Sequence, residues 1–533
     1  MKNTTFLLFF LISVLSLTAQ EYSKTSIIVK FKSNELKDDV KVSEVLQKHP
    51  YIKTVNLNGT KEDNTNIREI LSFKFEENTN ILDVIEDLKN TQLFEYVETD
   101  YIAKGAGKRI VTSFSTVPNE TLFNRQWGLK NDGTFSFSSG NVTAGADISM
   151  EFAWDITTGN SNITIAVLDT GLRMTHPEIA SRIWVNPGES LDSSDSDSNG
   201  YDDDLNGWDF VNNDNDPTDD HGHGTNVTGI ATATGNNNIG YAGIDWKCKI
   251  MPIKVLDNQN SGFYSWMISG IYYAVDNGAK VINMSIGGSS FSQSLKDAVD
   301  YARDQNVTML ISMMNFDNNV PYYPAAYEST IAVGSTDPDD TRSSPFPWSS
   351  TSGSNYGSHI DVVAPGNYMF GLTYDSDTNY EFYWAGTSQA TPVVAGLVSL
   401  ILDISPNKTV EEIRTLLRDT ADDEVGDSED TPGWDQYFGA GRVNASTLLN
   451  RVLSTESFDI AKFNIYPNPS NSVINLPLEL NNKKFSIFSI IGKEVMKGTI
   501  ENGIININFI NNGTYLLKID HKDIQVIRKI IKI

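Results

Sequence analysis

The sequence predicts a doubly wound α/β domain with a small α+β domain before it and a small all-β module after it. Three observations carry this prediction. Between residues 121 and 453, short apolar runs alternate with helically spaced segments, the pattern of a parallel sheet buried on both faces. Residues 21–104 run strand, helix, strand, helix, strand. From residue 454 the composition shifts to isoleucine, asparagine and lysine, in short runs punctuated by Gly492, Gly503 and Gly513. A chain of 533 residues has room for roughly three domains.

The elements follow in order. Lys2, the apolar run Phe6 to Leu17 and the small Ala19 form a secretion signal over residues 1–19, with the mature chain starting near Gln20. That run is too short for a comfortable transmembrane helix. Strands are expected at Ser26–Phe31, Ile70–Phe75 and Phe94–Ile102, and helices at Val40–Lys48 and Asn80–Lys89. A small detachable domain at the start of a secreted chain suggests a pro-region. Residues 105–120, rich in Gly, Ser, Thr and Pro, read as an exposed linker with the processing site.

In the central domain, Ile163–Asp169 is a nearly continuous apolar strand. Strands follow at Ile250–Leu256, Val281–Met284, Val307–Met313, Thr330–Val333 and Ile360–Val363. Helices are expected at Val227–Thr234, Trp266–Asn277 and Ser294–Gln305, with a buried apolar helix opening near Ser388. A linker at 454–462 leads to the C-terminal module at 463–533.

Composition narrows the function. Lys and Arg number 41 against 68 Asp and Glu, giving 41 − 68 = −27. Nucleic acids and anionic membranes want basic surfaces, so neither is an expected partner. Cys248 is the single cysteine, so a secreted chain must find stability without an internal disulfide, and bound metal is the usual alternative. Cys248 alternates with apolar residues and reads as a packed strand residue.

Three motifs carry chemistry. Asp169 closes its strand in Val-Leu-Asp-Thr-Gly, and a carboxylate at the end of a parallel strand points into the usual ligand crevice. His223 stands between glycines in Asp220-His-Gly-His-Gly-Thr225. Ser388 stands in Gly386-Thr-Ser-Gln-Ala-Thr-Pro392, before an apolar helix, where free N–H groups favour developing negative charge. Alone, the last motif is more often a helix cap than a nucleophile. The order Asp, His, Ser is one of the known chain orders for a catalytic triad. In that reading His223 takes the Ser388 proton as the hydroxyl attacks a carbonyl, and Asp169 holds the imidazole.

These motifs make residues 125–450 resemble the subtilisin-like serine proteases, through Asp169-Thr-Gly, His223-Gly-Thr and Gly386-Thr-Ser-x-Ala-Thr-Pro. The resemblance implies a three-layer fold on a seven-stranded parallel sheet, endopeptidase activity on proteins or peptides, and no organic cofactor. It places Asn315 in the oxyanion hole, and it places Ser261, Gly262, Ser285, Ile286 and Gly287 in strands that pair with substrate. The chain departs from the family pattern at Asn226, at Gln389, and at Met314, which replaces a small residue, usually glycine. With Tyr322, Met314 predicts a reduced S1 pocket and a preference for small P1 side chains.

Calcium is the expected metal. By resemblance, Glu178, Asn237 and the carbonyls of Gly235, Ile239 and Tyr241 form one site. Asp195, Asp197 and Asn199 have the oxygen spacing of an EF-hand loop with Gly200 at its sixth place, but Asn206 stands where the bidentate glutamate belongs. Asp214 and Asp216 make a further acidic loop close to His223.

The flanks resemble known units too. Residues 21–104 resemble a subtilase inhibitory propeptide, a ferredoxin-like α+β domain that acts as folding chaperone and inhibitor. Residues 463–533 resemble the type A C-terminal sorting domain of the type IX secretion system, through Ile465-Tyr-Pro-Asn-Pro469, Phe485–Phe488, Ile491-Gly-Lys493, Gly513–Leu516 and the Lys-rich tail. That implies export past the inner membrane and across a Gram-negative outer membrane, with the outer-membrane machinery as a partner; a monomer is expected. Two rivals remain: a catalytically silent scaffold that binds peptides or surfaces, and a triad enzyme working as an esterase or peptide ligase.

Overall fold

The computed structural model describes residues 22–33, 39–57, 70–105, 108–111, 122–462, 465–476, 480–489, 493–521 and 524–533. The expected signal peptide, most of the linker at 112–120, and Ile491-Gly492 of the C-terminal signature lie outside them. The chain divides into Met1–Asp403 with Asn407–Ser446, and Ile404–Pro406 with Thr447–Ile533.

The chain opens with β1 (Tyr22–Phe31), α1 (Val40–Lys48), β2 (Tyr51–Asn56), β3 (Ile70–Phe75), α2 (Ile81–Asn90) and β4 (Phe94–Gly105). Asp39 and Asn80 cap the two helices by accepting from Lys41 N and Leu82 N. The strands form an antiparallel sheet in the order β4-β1-β3-β2, with Ile28 opposite Ser72 and Val29 opposite Val97. Ile27, Val29 and Phe31 bury against Val84, Ile85 and Leu88 of α2. β2 is absent from the sequence expectation because its residues are half-buried or exposed, so no apolar alternation marks it. β5 (Lys108–Val111) is a correction: part of the stretch expected to be exposed linker is a strand.

The central region holds α3 (Met150–Trp154), β6 (Thr164–Asp169), β7 (Trp208–Asp209), α4 (His223–Thr232), β8 (Lys249–Lys254), β9 (Ser261–Phe263) and α5 (Tyr264–Asp276). It continues with β10 (Val281–Met284), β11 (Ile286–Gly287), α6 (Gln293–Asp304), β12 (Thr308–Ser312), β13 (Ile331–Thr336), β14 (Val362–Pro365), β15 (Met369–Phe370), β16 (Phe382–Ala385), α7 (Thr387–Ile404) and α8 (Val410–Asp419). Seven strands pair in the order β14-β13-β12-β10-β6-β8-β7, each pair parallel. The chain lays down β7 and β8 on one side of β6, and β10, β12, β13 and β14 on the other. The order therefore reverses at β6, where a doubly wound sheet opens its ligand crevice beyond the strand ends.

α7 is long and apolar enough to cross a membrane, but 89% of its apolar window is buried inside the protein, which makes it a core helix. Cys248 precedes β8, fully buried, and burial pushes its thiol pKa well up.

The second unit contains most of α9 (Ala445–Lys462), then β17 (Val473–Asn475), β18 (Lys484–Ser489), β19 (Glu494–Thr499), β20 (Ile504–Asn506), β21 (Gly513–His521) and β22 (Ile524–Lys532). The stretch 454–462, expected to be a linker, is the second half of α9. The strands form a β17-β20 pair and an antiparallel sheet β19-β18-β21-β22 over a core of Ile474, Phe485, Ile487, Ile505, Leu517 and Ile519. Isoleucine and leucine at alternate positions supply that core.

Candidate active site

Asp169 stands at the end of β6, beside the reversal in strand order, and is fully buried. Its Oδ1 accepts from Thr170 N at 2.8 Å and meets His223 Nδ1 at 2.7 Å. An ionised carboxylate only accepts, so Nδ1 carries the proton and Nε2 keeps its lone pair. His223 Nε2 is buried and has no hydrogen-bond partner. The two loops approach as closely as glycine allows: a Cβ on Gly224 would meet Gly171 O at 2.1 Å.

Asp219 ties these loops together. Its Oδ1 accepts from Thr170 Oγ1, His221 N and Gly222 N, and its Oδ2 from Thr225 N and Thr225 Oγ1. One carboxylate therefore fixes the residue after Asp169 and both flanks of His223. The buried Lys254 ammonium donates to Thr170 O and Asp220 Oδ1, each at 2.6 Å. Lys254 did not stand out in the sequence, and Asp219 did so only as the last residue of the acidic loop that holds Asp214 and Asp216. Asp219, four residues before His223 in a Gly-rich turn, is where a turn-capping carboxylate belongs.

Ser388 is the second residue of α7, after Gly386 at φ +143°. Its Oγ donates to Ser285 O at 3.2 Å, while Ser285 Oγ donates to Ser388 O at 2.9 Å. No hydrogen bond joins Ser388 to His223 in this conformation. Asn315 follows β12, and its Oδ1 accepts from Thr387 N and Thr387 Oγ1 at 2.9 and 3.0 Å. That double acceptance fixes the amide, leaving Nδ2 as a buried donor without a partner beside the serine's helix.

The substrate strands expected from the sequence are occupied by the chain itself. β4 pairs antiparallel with β9 and β11: Ala103 stands opposite Gly262, Lys104 opposite Ser261 and Gly287, and Gly105 opposite Ile286. A Cβ on Gly262 would meet Val255 O at 2.1 Å, so only glycine lets this strand lie so close. Met314 sits at φ +74°, a left-handed conformation, buried, with Sδ only 2.8 Å from where a Gly287 Cβ would be. Tyr322 stacks on Phe316 at 5.1 Å and also faces Gly287.

Two carboxylates of β4 reach two helices of the central region. Asp100 accepts from Ser265 N at 2.9 Å and Ser265 Oγ at 2.6 Å at the start of α5. Glu98 accepts from Ser292 Oγ, Ser294 Oγ, Gln293 N and Ser294 N at the start of α6. Each negative charge meets the positive end of a helix dipole. Burial pushes the Glu98 pKa up against those bonds.

The metal expectations divide. Glu178 is fully buried; its Oε2 accepts from Asn237 Nδ2 at 3.0 Å, its Oε1 has no partner, and burial raises its pKa to about 7. A lone, desolvated carboxylate oxygen beside the loop of Gly235, Asn237, Ile239 and Tyr241 fits a hard cation. Asp195 and Asp197 converge with Glu189, which the sequence reading missed because it precedes the acidic repeat. Asn199 donates to Asp197 and Asp204. Asp214 and Asp216 join no group of three acids among the described residues; Asp216 instead accepts from Thr218 Oγ1. A cavity of about 450 Å³ opens between this insertion and the end of α5, and none of its lining residues belongs to the triad or the substrate strands.

A parallel sheet carries a buried Asp–His pair at one strand end and a serine at a helix start, and comparison with known proteins puts the chain among the serine endopeptidases. Thermitase from Thermoactinomyces vulgaris is 39% identical over 293 residues, covering 55% of this chain and 90% of thermitase. The thermophilic serine proteinase from Bacillus sp. (strain AK1) is 34% identical over 367 residues, 69% of this chain and 75% of that protein. The chain belongs to the Subtilase family, whose profile matches residues 160–441. Crystalline fervidolysin from Fervidobacterium pennivorans, a keratinolytic enzyme related to subtilisin, shares the fold with a TM-score of 0.58 at 22% identity, over 96% of this chain and 77% of its own. A second profile, a secretion system C-terminal sorting domain, matches residues 464–533, so the chain carries an export signal at its C-terminal end.

Proposed function

We propose that this protease cleaves peptide bonds with Ser388 as nucleophile, His223 as general base and acid, Asp169 as its orienting partner and Asn315 as oxyanion donor. The carrying observation is the bond from Asp169 to His223 Nδ1 with a free Nε2. Turned from Ser285 O to Nε2, the Ser388 hydroxyl gives up its proton as Oγ attacks the carbonyl carbon. Asn315 Nδ2 and the Ser388 backbone N–H stabilise the oxyanion. The imidazolium then protonates the leaving amine, and water hydrolyses the acyl-enzyme through the same base. Casein hydrolysis by the secreted protein, lost in Ser388→Ala, tests this reading. Activity retained in Ser388→Ala would sink it, and an inactive wild type would favour the silent scaffold.

Residues 21–104 act as the inhibitory propeptide in this proposal. Gly105 closes the pairing on one side of the site and Lys108 opens the pairing with β16 on the other, so the processed bond lies between them. Of the bonds between them, we assign the cut to Ala106–Gly107, which puts a small side chain at P1. An alanine at P1 agrees with a pocket narrowed by Met314. N-terminal sequencing of the processed enzyme tests the assignment. Structural calcium at Glu178 and at the Glu189-Asp195-Asp197 insertion completes the proposal: the carboxylates would hold the ion, and the ion would supply charge neutralisation. The signal peptide takes the chain through the inner membrane, and the sorting domain engages the type IX machinery at the outer membrane.

A further inference from the structure

The cavity beside the acidic insertion takes no part in the proposed reaction. It encloses about 450 Å³, a volume suited to a small organic molecule and far more than one ion fills. One wall comes from the insertion, through Asp197, Asn199 and Tyr201, and the other from the end of α5, through Tyr272, Tyr273 and Asp276. The walls are tied together. The Tyr201 ring packs on Trp208 at 5.0 Å and edge-on to Tyr273 at 5.1 Å. Tyr273 OH donates to Oδ2 of the fully buried Asp204 at 2.6 Å, and Asn199 Nδ2 donates to the same oxygen at 3.0 Å. The cavity is therefore preformed, which lowers the cost of ordering on binding.

Its chemistry has one sign. Of its twelve lining residues two are aspartates, Asp197 and Asp276, and none is basic. The last turn of α5 also carries no basic residue, so the negative end of the helix dipole adds to that field. The three tyrosines supply apolar rings whose electron-rich faces attract a cation. A bare metal ion suits the place poorly. Calcium wants roughly six to eight oxygens close around it, and Asp276 joins no group of three acids among the described residues.

We propose that this cavity binds an organic cation, a guanidinium or primary ammonium group on an aliphatic stem, with Asp276 as its counter-ion and Tyr201, Tyr272 and Tyr273 as its walls. Such a group arrives either as a free amine or as an arginine or lysine side chain of a polypeptide. Calcium held by Glu189, Asp195 and Asp197 would neutralise Asp197 and leave Asp276 to carry the charge of the cavity. The site goes beyond the peptidase reading and does not depend on it.

The test is calorimetric titration of the full chain in calcium-containing buffer, with Ser388→Ala to prevent self-digestion. Four probes share one butyl stem: butylguanidinium, butylammonium, butanol and butyrate. The cations should bind one per chain with a Kd of about 1 mM or tighter. Butanol and butyrate should bind about tenfold or more weakly, as loss of one charged hydrogen bond requires. A capped Gly-Arg-Gly peptide that matches butylguanidinium would assign a polypeptide side chain, and one that binds far more weakly would assign a free amine. Asp276→Asn keeps an acceptor for Tyr301 OH. It should weaken both cations by about tenfold and leave butanol unchanged. Absence of cation binding, equal binding of butanol, or unchanged affinity in folded Asp276→Asn protein would each overturn the site. The four probes decide the matter with Asp276 in place, so the test survives a variant that does not fold.

Discussion

Chemistry at the residue scale turns on a few atoms left without partners. Asn315 spends its oxygen on Thr387 and leaves Nδ2 without a partner, the donor that the proposed mechanism needs. Asn315→Ala should therefore lower kcat by about 10²–10³-fold with KM little changed, as for loss of one oxyanion donor, measured by steady-state peptide hydrolysis. Met314 holds a left-handed backbone that glycine adopts without strain, and its sulfur crowds Gly287, in a strand that the proposed function gives to substrate. Met314→Gly should raise kcat/KM for P1 Phe or Leu relative to P1 Ala by at least about tenfold, near the lower end of what burying such side chains yields, in a P1 library digest. An unchanged ranking would remove Met314 from specificity. The Asp169–His223 pair was legible because each of its motifs is contiguous. Asp219 was not, because its five hydrogen bonds come from residues that only the folded turn gathers.

Whole elements were legible in proportion to their length and burial. β6, β10 and α7 announce themselves as apolar runs, and the structure places them within a few residues of expectation. β16 spans four residues and exists because distant partners pair with it, so no local pattern marks it, while β9 and β11 were reached only through the family resemblance at Ser261-Gly262 and Ser285–Gly287. The segment around Glu178 allows a pH prediction. Burial lowers the pKa of the fully buried His176 to about 4, so acidification from pH 6.5 to 4 costs stability as the unfolded chain takes up the proton first. Glu178, raised to about 7, works oppositely: the folded chain binds the proton more readily, so stability falls as pH rises from 4.5 to 7. The two slopes offset each other. In calcium-free buffer, Glu178→Gln should lose Tm more steeply than wild type between pH 6.5 and 4, by calorimetry. Parallel curves would show that Glu178 does not titrate in this range.

At the scale of the whole molecule, the chain is a protease whose β4 pairs with its own β9 and β11 and which ends in a secretion sorting domain. In the proposed propeptide, Glu98 and Asp100 cap α6 and α5 from the same strand that pairs with β9 and β11. Glu98→Ala with Asp100→Ala should weaken inhibition by added propeptide by about tenfold or more, given charge–helix contacts of this kind, read as Ki against the processed enzyme. Deleting residues 464–533 should leave the protein inside the producing cell, detected by immunoblot of medium and cell fractions.

The lone thiol adds something else. Cys248 lies fully buried at the entrance to β8, in the central sheet, and the chain contains no other sulfhydryl. A thiol reagent therefore sees nothing until that sheet opens, and each molecule can be labelled only once. Labelling kinetics become a one-site clock for the opening of the sheet, read without engineering a probe into the protein.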